Sequence, residues 1–504
     1  MSEKCSYTDI LEAKDGSLIP VRNGIAFHSK YNPIREGDGF ASQCAGSPTD
    51  SFFVILGLCG GFHVQALCRA FPDAYMLLVE RSQEDISFLK KLPVVQDLLK
   101  NKHLLACSAE QVKSMLTTHF LPAEHAAIQV LSLRAWEQQF AEDAKAIKSC
   151  IQETLAEISA DFSVQSHFGG IWQRNILANL KAASSFSPAT ISLDRSKKAA
   201  VIAAGPSLDE SVEELLHHRK EYVIIATDTG YRALLRHGIV SDVAVSVDAQ
   251  MISHAHFFDI RKTHFVLDLS ANPATGRKIA SQTSLQFVQT GHPLSAYASQ
   301  CSQTALPLLQ AGSGTVTIAA ADFAIQTGFQ QIVFFGADFG YLHGKAYARG
   351  TYLDDLYNNK SSRLNTSETQ FDALLFRTPL VKKSSDKYTS QVLESYGKSL
   401  DSYMGVNNFI KKADNTYIRA EKAGQQKKQN EADLLKVTRF DFERFSRTYA
   451  SELRRCPDTV SRSSPLWLTL LPYVAWLRTR GTAESLSEIV RQAYTKTLEY
   501  MEQI

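Results

Sequence analysis

Short unbroken apolar runs, each stopping at glycines or polar residues, dominate the first two thirds of this chain. Ser51 to Gly61, SFFVILGLCGG, has the pattern of a buried parallel strand feeding a tight turn. His63 to Arg69 suits the helix that follows, and Ala74 to Glu80, AYMLLVE, a second strand with an acid at its end. Strand, glycine turn, helix, strand and acid follow one another in the Rossmann-like order. The Gly57 to Glu80 spacing suits an acid that meets a ribose, but GLCGGFH departs from GxGxxG, and such glycines also serve close helix packing. Residues 130 to 180 change to apolar positions three and four apart, the period of a helix, with Trp172, Asn175 and Asn179 on one face placed to pack against the next domain.

From Lys197 the strand pattern resumes at Ala199 to Ala203, Tyr222 to Ala226, Val243 to Val247, His264 to Leu269, Leu285 to Val288 and Gln331 to Phe335. Helical stretches intervene at Leu208 to His217, Gly230 to His237 and Thr315 to Thr327. This alternation predicts a parallel sheet covered on both faces. After about Asp355 the chain turns polar, and NNKSSRLNTSETQ reads as a solvated loop or lid. Residues 385 to 415 read as a short helical turn and an Asn-rich hairpin or loop. From Arg419 on, helical spacing returns, with Phe442, Phe445, Tyr449 and Leu453 on one buried face. Leu466 to Leu477 is a buried helix, since it contains Pro472 and is too short to span a bilayer. The expectation is an α/β protein: a Rossmann-like domain over 1–165, a central doubly wound, mostly parallel sheet over 166–360, and a lid with a helical C-terminal domain over 361–504.

Composition narrows the classes. A chain of 504 residues with 44% apolar and 21% charged residues is a folded protein of two or three domains. A net charge of +2 gives no reason to expect a nucleic-acid partner. The eight cysteines are scattered without CxxC pairs, as in a protein with reduced thiols. The first residues lack a signal-type apolar core, and no run is long enough for a spanning helix, so a cytoplasmic protein without membrane insertion is expected.

The candidate chemistry lies where the central strands end. Gly205-Pro206-Ser207 follows the first: glycine lets backbone amides approach a phosphate, proline stiffens the turn, and serine can cap the helix or donate to an oxygen. An ordinary strand-to-helix turn with a serine cap has the same pattern. Asp228 and Asp248 end the next two strands, placed for ribose or metal contacts or for capping. Gly312-Ser313-Gly314-Thr315 precedes a helix and offers amides and hydroxyls to an anion. Gly336-Ala337-Asp338-Phe339-Gly340 follows the last apolar strand and leads into a loop holding Tyr341, His343, Lys345, Tyr347 and Arg349. Phenols and cations so close in sequence suit a phosphate that gains charge as it leaves. His254 and His256 lack the spacing of a helical metal pair, so no metal is expected, and neither a P-loop nor a GxSxG elbow occurs.

These motifs resemble a known family. With YNPIRE (Tyr31 to Glu36), GLCGGFH, GPSLD, the GSGT and GADF stretches, and KYTSQVLESYGKSLDSY, the layout resembles the motility accessory factor (Maf) family, and its centre resembles the MptE-like domain. Gly314 to Tyr347 is also similar to bacterial sialyltransferases of the α/β type. That resemblance implies Tyr341 and Tyr347 as contacts to the phosphate of a CMP leaving group, and Gly205 and Ser207 as contacts to the CMP moiety. His343 and Asp338 stand beside them as catalytic candidates, although the family's catalytic histidine has no matching position. The implied reaction moves a nonulosonic, sialic-acid-like sugar from a CMP-activated donor to Ser or Thr of flagellin, the protein partner. Two other readings stand beside it. One is a pterin pyrophosphokinase using ATP and Mg²⁺ with Asp228, Asp248 or Asp338 as ligands; the other is a non-enzymatic flagellin-binding factor.

Overall fold

The structure, a computed structural model, describes residues 5–311, 315–413, 415–420, 434–455, 464–480 and 485–504. The chain divides into two compact units, one of residues 1–167 with 474–489 and one of residues 168–473 with 490–504.

The first unit is built on four parallel strands, Phe52–Leu56, Tyr75–Glu80, Leu104–Ser108 and Ile128–Ser132. Counted along the chain, their order in the sheet is 3-2-1-4. The apolar run at Phe52 is buried at all five positions, which explains its lack of alternation. The helices Phe62–Ala70 and Val112–His119 bury apolar stripes that join the same core.

In the second unit eight strands form one sheet. Six are parallel: Lys198–Ile202, Tyr222–Thr227, Val243–Ser246, His264–Asp268, Leu285–Val288 and Gln331–Phe335. Two more, Phe409–Ala413 and Thr416–Arg419, form a hairpin that pairs antiparallel with the last of the six. Numbered along the chain the order is 5-4-3-2-1-6-8-7, so the direction of winding reverses between the first and sixth strands. In such a sheet the reversal opens a crevice at the carboxyl ends of the strands. Ile202 lies in register with Ala226 on one side and Phe335 on the other, so three strands end at about one level.

The expected central strands and helices all form, within a residue or two at their ends. After Thr351 the chain is more ordered than its polarity implied. Tyr352–Asn359 and Ser367–Leu375 are helices, and Gln391–Val406 is a helix of 16 residues capped by Ser390. Only Leu400 and Met404 of that long helix are buried, too narrow a stripe for apolar periodicity to announce it. The hairpin that follows completes the central sheet, so residues placed in a separate terminal domain share a core with the central one. Phe442, Phe445, Tyr449 and Leu453 are the buried face of a helix, as their spacing indicated. Pro465–Arg478 is helical through Pro472.

Asn175 and Asn179 do more than pack. The Asn175 side-chain amide donates to the Ala249 and Ser270 carbonyls at 3.1 and 2.8 Å, and that of Asn179 to Leu269 and Ala271, both at 2.8 Å. The loops after the third and fourth strands are thus fastened by two asparagines one helical turn apart. Replacing Asn179 with Leu leaves two buried carbonyls without a donor and should cost about 1–3 kcal/mol. The measure is a lower urea midpoint with an unchanged unfolding slope.

Candidate functional site

The two glycine turns meet at the reversal of the sheet. The Gly205 amide donates to the Gly336 carbonyl at 2.7 Å, and the Ser207 amide to Asp338 Oδ2 at 2.9 Å. Ala203 donates to Phe335 at 2.9 Å, continuing the ladder beyond the strands. A methyl group on Gly205 would lie against the Asp338 carboxylate and 2.5 Å from the Gly336 carbonyl oxygen, so only glycine fits. Ser207 does not cap the helix Leu208–His217 with its own hydroxyl. Asp338, from a loop more than a hundred residues away, takes the Ser207 amide instead. The amides of Gly205 and Ser207, expected to face a phosphate, are therefore committed to the chain itself, and the serine hydroxyl is what this turn presents.

The tyrosine loop lies over the same strand ends. The Ala348 amide donates to the Ala204 carbonyl at 2.9 Å and the Arg349 amide to Asp209 Oδ1 at 2.9 Å, with Lys345 Nζ 3.8 Å from Asp209 Oδ2. Asp209 thus pins the loop. His343 is 57% exposed in its side chain, 3.5 Å from Glu210.

A group of polar side chains gathers at the first three strand ends. Asp228, almost fully buried, accepts from the Thr229 amide at 2.7 Å and from the Ser246 hydroxyl at 2.7 Å. Asp248 stands beyond the third strand, and burial together with the Asp228 charge pushes its carboxyl up. Tyr347 is 40% exposed as a residue. Its phenol is raised by burial first, then by the charges of Tyr352, Tyr341 and Asp228. Burial and Tyr357 raise Tyr352 likewise, with Asp248 and Asp228 adding to the effect. Phenols so shifted stay protonated near neutral pH and can donate hydrogen bonds to an anion.

Sequence reasoning missed three members of this group. Tyr352 and Tyr357 lie in the segment read as leading into a lid, and YLDDLY was the only signal for them. His256, set aside for lacking metal spacing, stands edge-on to Tyr352 at 4.8 Å with its Nδ1 buried and unpartnered among the described residues. Thr315 caps the helix Val316–Gln326 through the Thr317 amide, while Gly312, Ser313 and Gly314 lie outside the described residues. Among the described residues no three His, Cys, Asp or Glu side chains form a metal-holding group.

The glycine turn of the first unit looks similar in sequence and differs in structure. Glu80 is fully buried and accepts from the Cys59 amide at 3.0 Å, the Tyr7 hydroxyl at 3.0 Å and Trp136 Nε1 at 2.9 Å. A methyl on Gly57 would lie 2.5 Å from Trp136 Cγ, and the Gly60 amide donates to His28. The chain's own side chains fill the place where a ribose and pyrophosphate would lie, so the acid spaced to meet a ribose is a buried anchor.

Residues 174–344 match the family described as 6-hydroxymethylpterin diphosphokinase MptE-like. These residues thus form an MptE-like domain on a doubly wound sheet. Two uncharacterized proteins of Treponema pallidum (strain Nichols) are similar to it. One is 33% identical over 170 residues, covering 34% of this chain and 78% of the relative; the other is 32% identical over 224 residues, covering 44% and 69%. The structure of a Maf glycosyltransferase from Magnetospirillum magneticum AMB-1 shares the fold over 99% of this chain and 92% of that one, with a TM-score of 0.57 at 15% identity. The chain thus shares its fold with a Maf glycosyltransferase and carries an MptE-like central domain. No helix among the described residues is long and apolar enough to cross a membrane.

Two outcomes follow from these turns. Gly205→Ala should force the Gly336 and Asp338 contacts apart and destabilise the second unit by about 1–3 kcal/mol, read as a lower thermal midpoint. In the first unit, burial lifts the Glu80 carboxyl to about 7 from an ordinary 4.5. A raised carboxyl pKa means the native state holds the proton more tightly, so stability is greatest below pH 4.5 as far as this group is concerned and is lost as pH rises to about 7. Denaturant midpoints should fall across that interval in the wild type, and Glu80→Gln should flatten the dependence.

Proposed function

We propose that this protein is a glycosyltransferase that moves a nonulosonic sugar from a CMP-activated donor to Ser or Thr hydroxyls of flagellin. One observation carries the reading: the Gly205–Ser207 turn, Asp228 and the phenols of Tyr341 and Tyr347 share one strand-end edge at the reversal of a doubly wound sheet. The fold it shares with a protein titled a Maf glycosyltransferase supports the same class. In this reading the nucleotide lies over the first and second strand ends, with the Ser207 hydroxyl and the buried Asp228 at its sugar. The bond from the anomeric carbon to the cytidylate oxygen breaks, and negative charge gathers on the phosphate. Tyr341 and Tyr347 donate to that phosphate as it leaves, and burial raises the Tyr347 phenol so that it keeps its proton. The acceptor oxygen forms the new bond and its proton passes to a base. His343 is drawn to Glu210 on an exposed surface, and Asp338 is engaged with Ser207, so neither is given that role here.

A second reading follows from the MptE-like match, whose description names a pterin diphosphokinase. It would use ATP with Mg²⁺ near Asp228 and Asp248. Both Asp228 oxygens already accept hydrogen bonds, from Thr229 and Ser246, which favours a positioning role over metal ligation.

Tyr347→Phe and Tyr341→Phe should each lower transfer by about 10²–10³-fold while CMP binding persists, the loss expected when one donor to a developing charge is removed. Intact-mass measurement of flagellin from cells carrying each variant reads the loss. Unmodified flagellin mass with the wild type, or full transfer by both Phe variants, rejects the reading. Pyrophosphoryl transfer to hydroxymethyldihydropterin that stops on chelation establishes the second one.

A further inference from the structure

Asp338 also lines a cavity of about 400 Å³, within the size range of small-ligand sites. Its floor is apolar, formed by Phe334, Phe339 and Leu400, and Thr389 and Asn415 add polar atoms. Four lysines and three acids line it. The acids are committed. Glu394 lies 3.0 Å from Lys383 and 3.4 Å from Lys398, and Asp401 takes Lys411 at 3.2 Å and the Tyr417 hydroxyl. Asp338 holds the Ser207 amide.

Lys387 is left over. It is half-buried and has no ion-pair or hydrogen-bond partner for its ammonium among the described residues. Its backbone is held in the short strand Lys387–Thr389, where Tyr388 pairs with Tyr341, and its Cε lies so close to Gly340 that a methyl there would be 2.9 Å away. A cation held on a fixed strand, half out of water and without a counter-charge, is a ready partner for a ligand acid. The apolar floor beside it fits a ring with one hydrophobic face.

We propose that this cavity binds a monosaccharide-sized acid, a sugar carboxylate or sugar phosphate, with Lys387 as its charge partner. Its lining includes none of Ser207, Asp228, Tyr341 and Tyr347, and the assignment does not depend on the transfer reaction. The full-length protein is titrated by calorimetry, without CMP and again in saturating CMP, with glucuronate, glucose 6-phosphate and inorganic phosphate. At least one sugar acid binds at a single site and more tightly than phosphate, since phosphate cannot use the floor. The comparison of glucuronate with glucose 6-phosphate tells which acid is preferred. Lys387→Met, with an unchanged thermal midpoint, weakens binding by about 10-fold or more, while Lys387→Arg and Lys398→Met keep it within about 3-fold, as expected for one charge-assisted contact. Three results would overturn the assignment. They are no binding of any sugar acid at millimolar concentration, displacement by CMP, or equal weakening by Lys387→Met and Lys398→Met, which would mark a diffuse surface charge.

Discussion

Two hydrogen bonds at the reversal of the central sheet, Gly205 to Gly336 and Ser207 to Asp338, hold together the strand-end edge that carries the candidate site. They join the ends of the first and sixth strands, which are neighbours in the sheet and distant in the chain. Because the sixth strand runs directly into the Asp338 loop and then the tyrosine loop, fixing Asp338 also fixes where Tyr341 starts. Asp209 and Ala348 then draw the far end of that loop back over the first strand. The constraint is steric as well as polar, since the backbone approach at Gly205 tolerates no side chain.

Both sheets wind in the same manner and put glycine turns at equivalent places, yet the two turns have different fates. In the first unit Trp136, Tyr7 and His28 enter the space, and Glu80 becomes a buried acceptor for three donors. In the second unit the backbone amides are consumed, but the surrounding surface is made of hydroxyls, phenols and two carboxylates at successive strand ends. In the proposed reading, an anion there would be recognised by side-chain donors more than by a bare amide cradle. The environment suits this, because burial and neighbouring negative charge keep Tyr347 and Tyr352 in the protonated, donating form.

Much of the scaffold was legible from local pattern. The central strands announced themselves as unbroken apolar runs because both of their faces are covered. The helix carrying Phe442, Phe445, Tyr449 and Leu453 was legible because its buried stripe is wide and regular. Gln391–Val406 buries two residues only, and the hairpin at Phe409–Arg419 gains its burial by pairing with a strand some eighty residues earlier, so neither had a strong local signature. The candidate site divides in the same way. Gly205, Ser207, Asp228, Asp248, Asp338, Tyr341 and Tyr347 were visible as chemistry at strand ends. His256, Tyr352 and Tyr357 were not, because they lie on loops and a helix whose direction the sequence does not state.

Local order and residue chemistry are properties of short segments, and the sequence alone determined them: which segments are strands, that they alternate with helices, and that glycines and polar groups stand where strands end. Partnership was left to the tertiary structure. The same turn motif became a filled joint around Glu80 and an open polar edge beside Ser207, His343 was turned toward Glu210, and Lys387 was left without an acid. Each outcome depends on which distant side chain arrives in a few cubic ångströms. Packing and the exclusion of water decide that, and no local pattern of residues encodes it.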